Sequence, residues 1–403
     1  MSTLGIDFGT SFSTASYITS DGTPKAVKFP GHDTKMPSLV SYYNNQTIVG
    51  YTVTEYLKQI SISGQDQLME DFMKTTIKSI KTNLSVNGQR CGHSHREIVT
   101  TIIKHIKTES EKSCSPIIFD NLVLTHPAQF EEWKKDLIKT AAIAAGFNNV
   151  QLLPEPVSAA IGYLRCLGHS DLSKTKGLLV YDLGAGTFDV AYVTKQDGHF
   201  IVPFPPNGDA HCGGDNLDDA LYELLINKAR PIIGNGYHTE EKDLGLLFRC
   251  RGWKEMLSTL DKIPISIFSQ DMSKEFKYDL TRDEFEQIAK PTIRRTINLT
   301  KAIADDVKNN RLPLDFILLI GGSSCIPFVE KSLKAAIPDI DIRTTGDADI
   351  AVALGASCYA ISPIEINPEK EWCYCMYDGK KILRSYNFCI YCGKHNFIKT
   401  GKF

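Results

Sequence analysis

Two short stretches combine carboxylates, glycines and hydroxyls in an order that suits phosphate chemistry. The first is Asp7-Phe8-Gly9-Thr10-Ser11, the second Asp182-Leu183-Gly184-Ala185-Gly186-Thr187. Small residues let backbone N–H groups approach a phosphate closely, and hydroxyls at the edge of the turn can donate to its oxygens. An Asp at the mouth of such a turn could hold Mg²⁺ through the ion's water shell. Singly, each Asp is as well explained as a turn cap. As a pair facing one cleft, they would clamp a nucleotide triphosphate from both sides. Two further glycine corners, Gly213-Gly214-Asp215 and Gly321-Gly322-Ser323, each lead into a helix and permit close approach of a flat ligand. Other phosphate motifs are missing. No G-x-x-x-x-G-K-[ST] occurs, and the second loop fails G-x-G-x-x-G because Asp189 stands where the third glycine would be. A P-loop and a Rossmann dinucleotide site are both disfavoured.

To reach one cleft, these residues must sit at strand ends. Leu4-Gly5-Ile6 runs into Asp7, and Leu178-Leu179-Val180-Tyr181 runs into Asp182; each turn is followed by a second strand with Tyr ten residues after the Asp, Tyr17 and Tyr192. The two Asp residues are 175 positions apart (182 minus 7), about one domain length. The echo predicts duplicated α/β lobes facing each other, although two unrelated hairpins would read the same way. Apolar periodicity predicts helices over residues 97–107, 131–145, 157–167, 216–228, 285–307 and 327–336, and buried strands over 121–124 and 316–320. Residues 242–282 read as a helix followed by alternating strand-like segments.

Composition bounds the rest. The chain has 403 residues, 42% hydrophobic and 23% charged, which is ordinary globular usage. With 45 basic against 47 acidic side chains it lacks the surplus needed for non-specific nucleic-acid binding. No apolar run approaches the roughly 18 residues of a membrane span. The N-terminal Met1-Ser2-Thr3-Leu4-Gly5 carries no secretory signature. Eleven cysteines without an export signal read as thiols in a cytoplasmic setting.

Taken in order, seven segments resemble the heat-shock protein 70 chaperones of the actin-like ATPase superfamily. They are Gly5 to Ser11; Leu124-Thr125-His126-Pro127-Ala128-Gln129-Phe130; Leu153-Pro154-Glu155-Pro156 with Val157 to Tyr163; Asp182 to Val190; Gly208 to Asp218; Leu280-Thr281-Arg282-Asp283-Glu284-Phe285-Glu286; and Ile320 to Pro327. The resemblance spans residue 3 to about residue 361. It implies a duplicated ribonuclease H-like motif forming two lobes around a nucleotide cleft. Lobe I would be residues 1–170 with an inserted subdomain at about 30–100, and lobe II residues 171–361 with an insert at about 215–300. Bacterial actin homologues share the Asp loops and rank second.

The resemblance also implies roles. Asp7 and Asp182 would order the water shell of Mg²⁺, with K⁺ as a further cation. Glu155 would hold the attacking water, Thr187 would contact the γ-phosphate, and Lys81 would approach it, with Lys78 as a rival. ATP or ADP would lie against Gly9, Thr10, Ser11 and Phe12 of the first loop and Gly184, Ala185 and Gly186 of the second. Gly213, Gly214, Asp215, Lys254, Ser258, Gly321, Gly322, Ser323, Cys325, Ile326 and Asp349 would complete the pocket. The implied activity is slow Mg²⁺-dependent ATP hydrolysis driving a switch on a protein partner, such as a nucleotide-exchange factor. A non-enzymatic nucleotide-binding regulator and an actin-like filament former are the alternatives.

The departures matter as much. Cys325 stands where the family stacks an Arg on adenine, so weaker nucleotide binding is expected. In the helix opposite, the family's Glu and Arg appear exchanged as Arg251 and Glu255. Gln151 replaces a basic residue used with the J-domain co-chaperone, and Lys135 stands for the Arg that partners Pro127 in the family's interdomain switch, where Lys cannot make the same forked contacts; both weigh against that partner. After Ile361 only 42 residues remain (403 minus 361), too few for the family's peptide-binding sandwich and lid. They contain Cys373-Tyr374-Cys375 and, after thirteen residues, Cys389-Ile390-Tyr391-Cys392. This small Cys-rich tail could bind Zn²⁺ through four thiolates, or be an added strand with free thiols. No nucleic-acid or membrane partner is expected.

Overall fold

The computed structural model describes residues 2–63, 66–166, 174–196, 199–209, 211–236, 242–269, 271–345, 350–361, 372–374 and 381–383. The expected echo is written into its two largest sheets. In the first, Ser2–Asp7 runs antiparallel to Phe12–Ile18 and parallel to Phe119–His126, which is parallel to Asn149–Pro154; Pro24–Ala26 lies on the far edge. In the second, Gly177–Leu183 runs antiparallel to Phe188–Gln196 and parallel to Phe316–Ile320, which is parallel to Asp341–Thr344; His199–Ile201 takes the edge. Order and sense are the same in both. Even the hairpin register agrees, since Leu4 faces Tyr17 and Asp7 faces Thr14, while Leu179 faces Tyr192 and Asp182 faces Asp189.

The central strands are buried on both faces, as expected of sheets covered by helices, while the edge strands Pro24–Ala26, Asn149–Pro154 and Asp341–Thr344 are partly exposed. Phe316–Ile320 shows no exposed residue along its length. Capping boxes fix two of the helix starts. Ser94 and Glu97 begin His95–Ser113, and Thr281 and Glu284 begin Arg282–Asn309. The 97–107 and 285–307 expectations are therefore extended at both ends. The segment after residue 242 is a helix, Leu244–Leu257, and then the antiparallel hairpin of Lys262–Phe268 with Glu275–Thr281. Helices Tyr51–Ser63 and Asp66–Lys74 were not predicted; they bury a small separate cluster of Val53, Ile60 and Phe72.

A third apolar cluster lies between the sheets and is carried by two crossing helices, Glu155–Cys166 and Ala351–Ile361. The second is apolar all round because it is enclosed all round. The helices meet backbone to backbone. A Cβ on Gly355 would lie 1.7 Å from the Ser158 carbonyl oxygen, and one on Gly162 would lie 2.0 Å from that of Ala351. Ser158 Oγ donates to the Val352 carbonyl at 2.6 Å, and Ser16 Oγ to that of Ala353 at 2.6 Å, so both hydroxyls are satisfied at the crossing.

Candidate functional site

The two glycine turns come together where the sheets face each other. Gly9 allows the first turn to close, since a Cβ there would fall 2.0 Å from the Phe12 carbonyl oxygen. In the second turn, the Gly184 N–H donates to the Thr187 carbonyl at 3.0 Å. A Cβ on Gly186 would stand 3.0 Å from Thr10 Cγ2 and 3.2 Å from Thr82 Cγ2, so the loops are in near contact across the cleft. The Gly213-Gly214-Asp215 corner is stapled to the second turn. The Gly214 N–H donates to the Gly184 carbonyl at 2.9 Å and the Asp215 N–H to the Ala185 carbonyl at 2.6 Å. At Gly321, φ is +79°, and a Cβ would fall 2.6 Å from Asp182 Oδ1, so only glycine fits. Ser323 belongs to the following 3₁₀ turn, Gly322–Cys325, with its Oγ 2.5 Å from where a Gly214 Cβ would stand. Pro327 then starts the helix Pro327–Ala336. Ile326 is buried, whereas Cys325 and Phe12 are exposed.

Below the loops lies a knot of charge. Asp7 ends its strand and accepts from Thr125 Oγ1 at 3.0 Å. Glu155 is the first residue of its helix, and Lys81 sits in the turn that follows Thr76–Ile77. Lys81 Nζ lies 2.6 Å from Glu155 Oε1 with both side chains buried. Asp182 and Asp189, cross-strand partners, complete the group. Four carboxylates thus share one ammonium. Burial, helped by the negative charge of Asp7 and Asp189 and opposed by Lys81, pushes the Glu155 carboxyl up to about 7. Burial raises Asp189 to about 6, and burial with the negative charge of Glu155, Asp189 and Asp7 holds Asp182 well above the usual carboxylate range. For Lys81, burial works against the charge, but Glu155, Asp7 and Asp182 prevail and hold it above the usual lysine value. Lys78, the rival lysine, is exposed and acts electrostatically on Asp215.

The structure therefore brings Asp7, Lys81, Glu155 and Asp182 together and sets Thr10 and Gly186 above them. Asp189 is a member that was not singled out from sequence, although its signal was present: it occupies in the second hairpin the place of Thr14 in the first. Such an excess of carboxylate, buried at Glu155 and Asp189 and half-buried at Asp7 and Asp182, is a setting for a cation, and the cradle that added Cβ atoms would fill suits a phosphate chain; the residues present fit Mg²⁺ with a nucleotide. Among the described residues, no group of three or more His, Cys, Asp or Glu is arranged to ligate a metal directly. Asp349, Cys375, Cys389 and Cys392 lie outside the described residues, and Cys373 is placed only by its strand, Trp372–Tyr374. Among the described residues, no helix is long and apolar enough to cross a membrane.

The residues expected from the sequence to line the nucleoside pocket are organised by a charge zipper between two helices. On Gly214–Ile233, the acids Asp215, Asp218, Asp219 and Glu223 face basic residues from the Leu244–Leu257 region. Lys254 Nζ meets Asp218 Oδ1 at 2.6 Å and the Gly214 carbonyl at 3.0 Å. Arg251 meets Asp215 Oδ1 at 2.6 Å and Asp218 Oδ2 at 3.1 Å. The Arg251 and Glu255 exchange is thus a redirection, with Arg251 bound to the neighbouring helix while Glu255 is exposed. Ser258 caps the helix, and its Oγ reaches back to the Lys254 carbonyl at 3.5 Å.

Comparison with protein families agrees with this geometry. The model of the Hsp70 protein family matches residues 3–363, most of the chain. That family is made of nucleotide-binding, chaperone-type proteins that are generally ATPases using ATP or ADP with Mg²⁺, and the paired sheets have its actin-like ATPase fold. With the match covering both sheets, both glycine turns and the buried carboxylates, this chain belongs to the Hsp70 family.

Proposed function

We propose that this chain binds ATP and ADP with Mg²⁺ between its two Asp hairpins, hydrolyses ATP slowly, and acts as a nucleotide-dependent switch on a protein partner. The observation that carries this reading is the Lys81 ammonium among Asp7, Glu155, Asp182 and Asp189 directly beneath the facing glycine turns. Backbone N–H groups of Ala185 and Gly186, with the hydroxyls of Thr10, Ser11 and Thr187, would bind the phosphates, and Asp7 and Asp182 would hold Mg²⁺ through water. Bound Mg²⁺ supplies neutralisation of phosphate charge. Phosphoryl transfer needs positioning and electrostatics more than covalent chemistry from the protein. Glu155, raised to about 7, is suited to take a proton from an attacking water near neutral pH. Lys81 can leave Glu155 for a γ-phosphate oxygen, which frees that carboxylate as the phosphate arrives. A cysteine-rich chain of this kind suits a reducing compartment such as the cytoplasm.

The test is ATP turnover with and without Mg²⁺ in the wild type, Glu155→Gln and Asp182→Asn. Loss of roughly 100-fold or more in both variants is expected, with ADP still bound by Glu155→Gln. Turnover unchanged in both variants, or no binding of ATP by the wild type, would overturn the reading. Binding without any wild-type turnover would favour the non-enzymatic regulator, for which the exposed Cys325 speaks.

A further inference from the structure

Arg251 and Lys254 divide one buried carboxylate between them. The Asp218 side chain is only 2% exposed; its Oδ2 takes Arg251 Nε at 3.1 Å and its Oδ1 takes Lys254 Nζ at 2.6 Å. The Arg251 guanidinium also reaches Asp215 at 2.6 Å, so it bridges two acids one turn apart on the same helix. That forked reach belongs to a guanidinium, since an ammonium is a single compact charge. Lys254 in turn stands at the seam of the glycine corners. A Cβ on Gly214 would lie 3.0 Å from its Nζ and 2.5 Å from Ser323 Oγ.

From this we infer that Arg251 is a positioning residue for nucleotide binding, acting by carrying part of the Asp218 charge and so leaving Lys254 able to turn to the nucleoside. The inference rests on the proposed reading of the cleft as a nucleotide site with Lys254 in its wall. The charge balance sets the sign. With Arg251 in place, Asp218 is neutralised from one side and its hold on Lys254 is shared. Without Arg251, Lys254 is the cation left at that carboxylate, and moving it towards a ligand would strand a buried charge. Removing Arg251 should therefore weaken nucleotide binding, and removing Asp218 as well should restore it. A purely structural clasp predicts the opposite, because the doubly cut zipper would be worse than the singly cut one.

The experiment is calorimetric titration of the full chain with Mg·ADP, paired with steady-state ATP turnover. Arg251→Met is expected to raise the Kd for ADP and the KM for ATP by about tenfold with kcat little changed, the mark of lost uniform binding. The Arg251→Met/Asp218→Asn double variant is expected to recover most of that loss. Should Arg251→Met fail to fold, Arg251→Lys gives the same comparison, with an intermediate rise in Kd because Lys serves one of the two acids. Wild-type affinity in Arg251→Met, or a double variant weaker than the single one, would overturn the inference while leaving the nucleotide site intact. A wild-type chain that binds no ADP would overturn the reading beneath it and the inference too.

Discussion

Lys81 Nζ lies 2.6 Å from Glu155 Oε1, and the two side chains are 6% and 7% exposed. The pair joins the turn after Thr76–Ile77 to the first residue of a crossing helix. It is unequal, because Lys81 also serves Asp7, Asp182 and Asp189 electrostatically while Glu155 is crowded by like charges. Removing either member should therefore not be equivalent.

In the absence of nucleotide, Lys81→Met should cost about 3–5 kcal/mol of folding stability, because it leaves four carboxylates without their cation. Glu155→Gln should not destabilise the fold at neutral pH, since Lys81 keeps its other partners and one repulsive charge is removed. Denaturant titration of both variants checks the asymmetry. Equal losses would show that the cluster does not act as one charged unit.

The same cluster gives a pH dependence with a definite sign. Glu155 rises to about 7 and Asp189 to about 6, so both bind protons in the folded state that they release when unfolded. Stability from these groups then falls as pH rises from about 4 to about 7, by up to about 1.4 kcal/mol per pH unit for each group while it titrates, and is flat above. His95 and His105, lowered by burial, work in the opposite direction below about pH 6.5. Asp189→Asn isolates the first effect. The difference in melting temperature between wild type and variant should shrink as pH drops from 8 to 5. A difference independent of pH would place the Asp189 carboxyl at an ordinary value.

Much of this arrangement is legible in the amino-acid sequence. The repeated strand–Asp–turn–strand unit foretold two sheets of one topology, because hairpin register follows directly from where the turn falls. What could not be read was the company each charge keeps. Asp189 looks like one acid among many until the register sets it opposite Asp182. Arg251 has Glu255 one turn away in sequence, yet its guanidinium goes to Asp215 and Asp218 on a helix more than 30 residues earlier. Long-range ion pairs leave no periodic trace. The helix Ala351–Ile361 escaped for a related reason, since a helix enclosed on all sides shows no amphipathic pattern.

The glycine at the helix crossing should tolerate no side chain. A Cβ at Gly355 would meet the Ser158 carbonyl oxygen at 1.7 Å and the Gly162 nitrogen at 2.9 Å, both backbone atoms that cannot rotate away. Gly355→Ala should cost more than about 3 kcal/mol, at the upper end of overpacking penalties. The contact at Gly186 is milder, with Thr10 and Thr82 methyls at 3.0 and 3.2 Å. Gly186→Ala should leave the melting temperature nearly unchanged but weaken ATP binding by wedging the turns apart. Circular dichroism melts and calorimetry distinguish the two, and a well-folded Gly355→Ala would contradict the backbone contact.

Cys325 is exposed at the end of the 3₁₀ turn Gly322–Cys325, on the wall read as the face for the base. A thiol offers that ring little, whereas a guanidinium laid on it gains roughly 0.5–2 kcal/mol. Cys325→Arg should therefore tighten ADP and ATP alike by about 2- to 30-fold. Because the new contact is to the base, binding of pyrophosphate with Mg²⁺ should not change, nor should kcat. Calorimetric titration of both ligands settles the matter. Equal tightening of pyrophosphate would mean that the added positive charge, and not a stacked ring, is responsible, and unchanged ADP affinity would place the base away from residue 325.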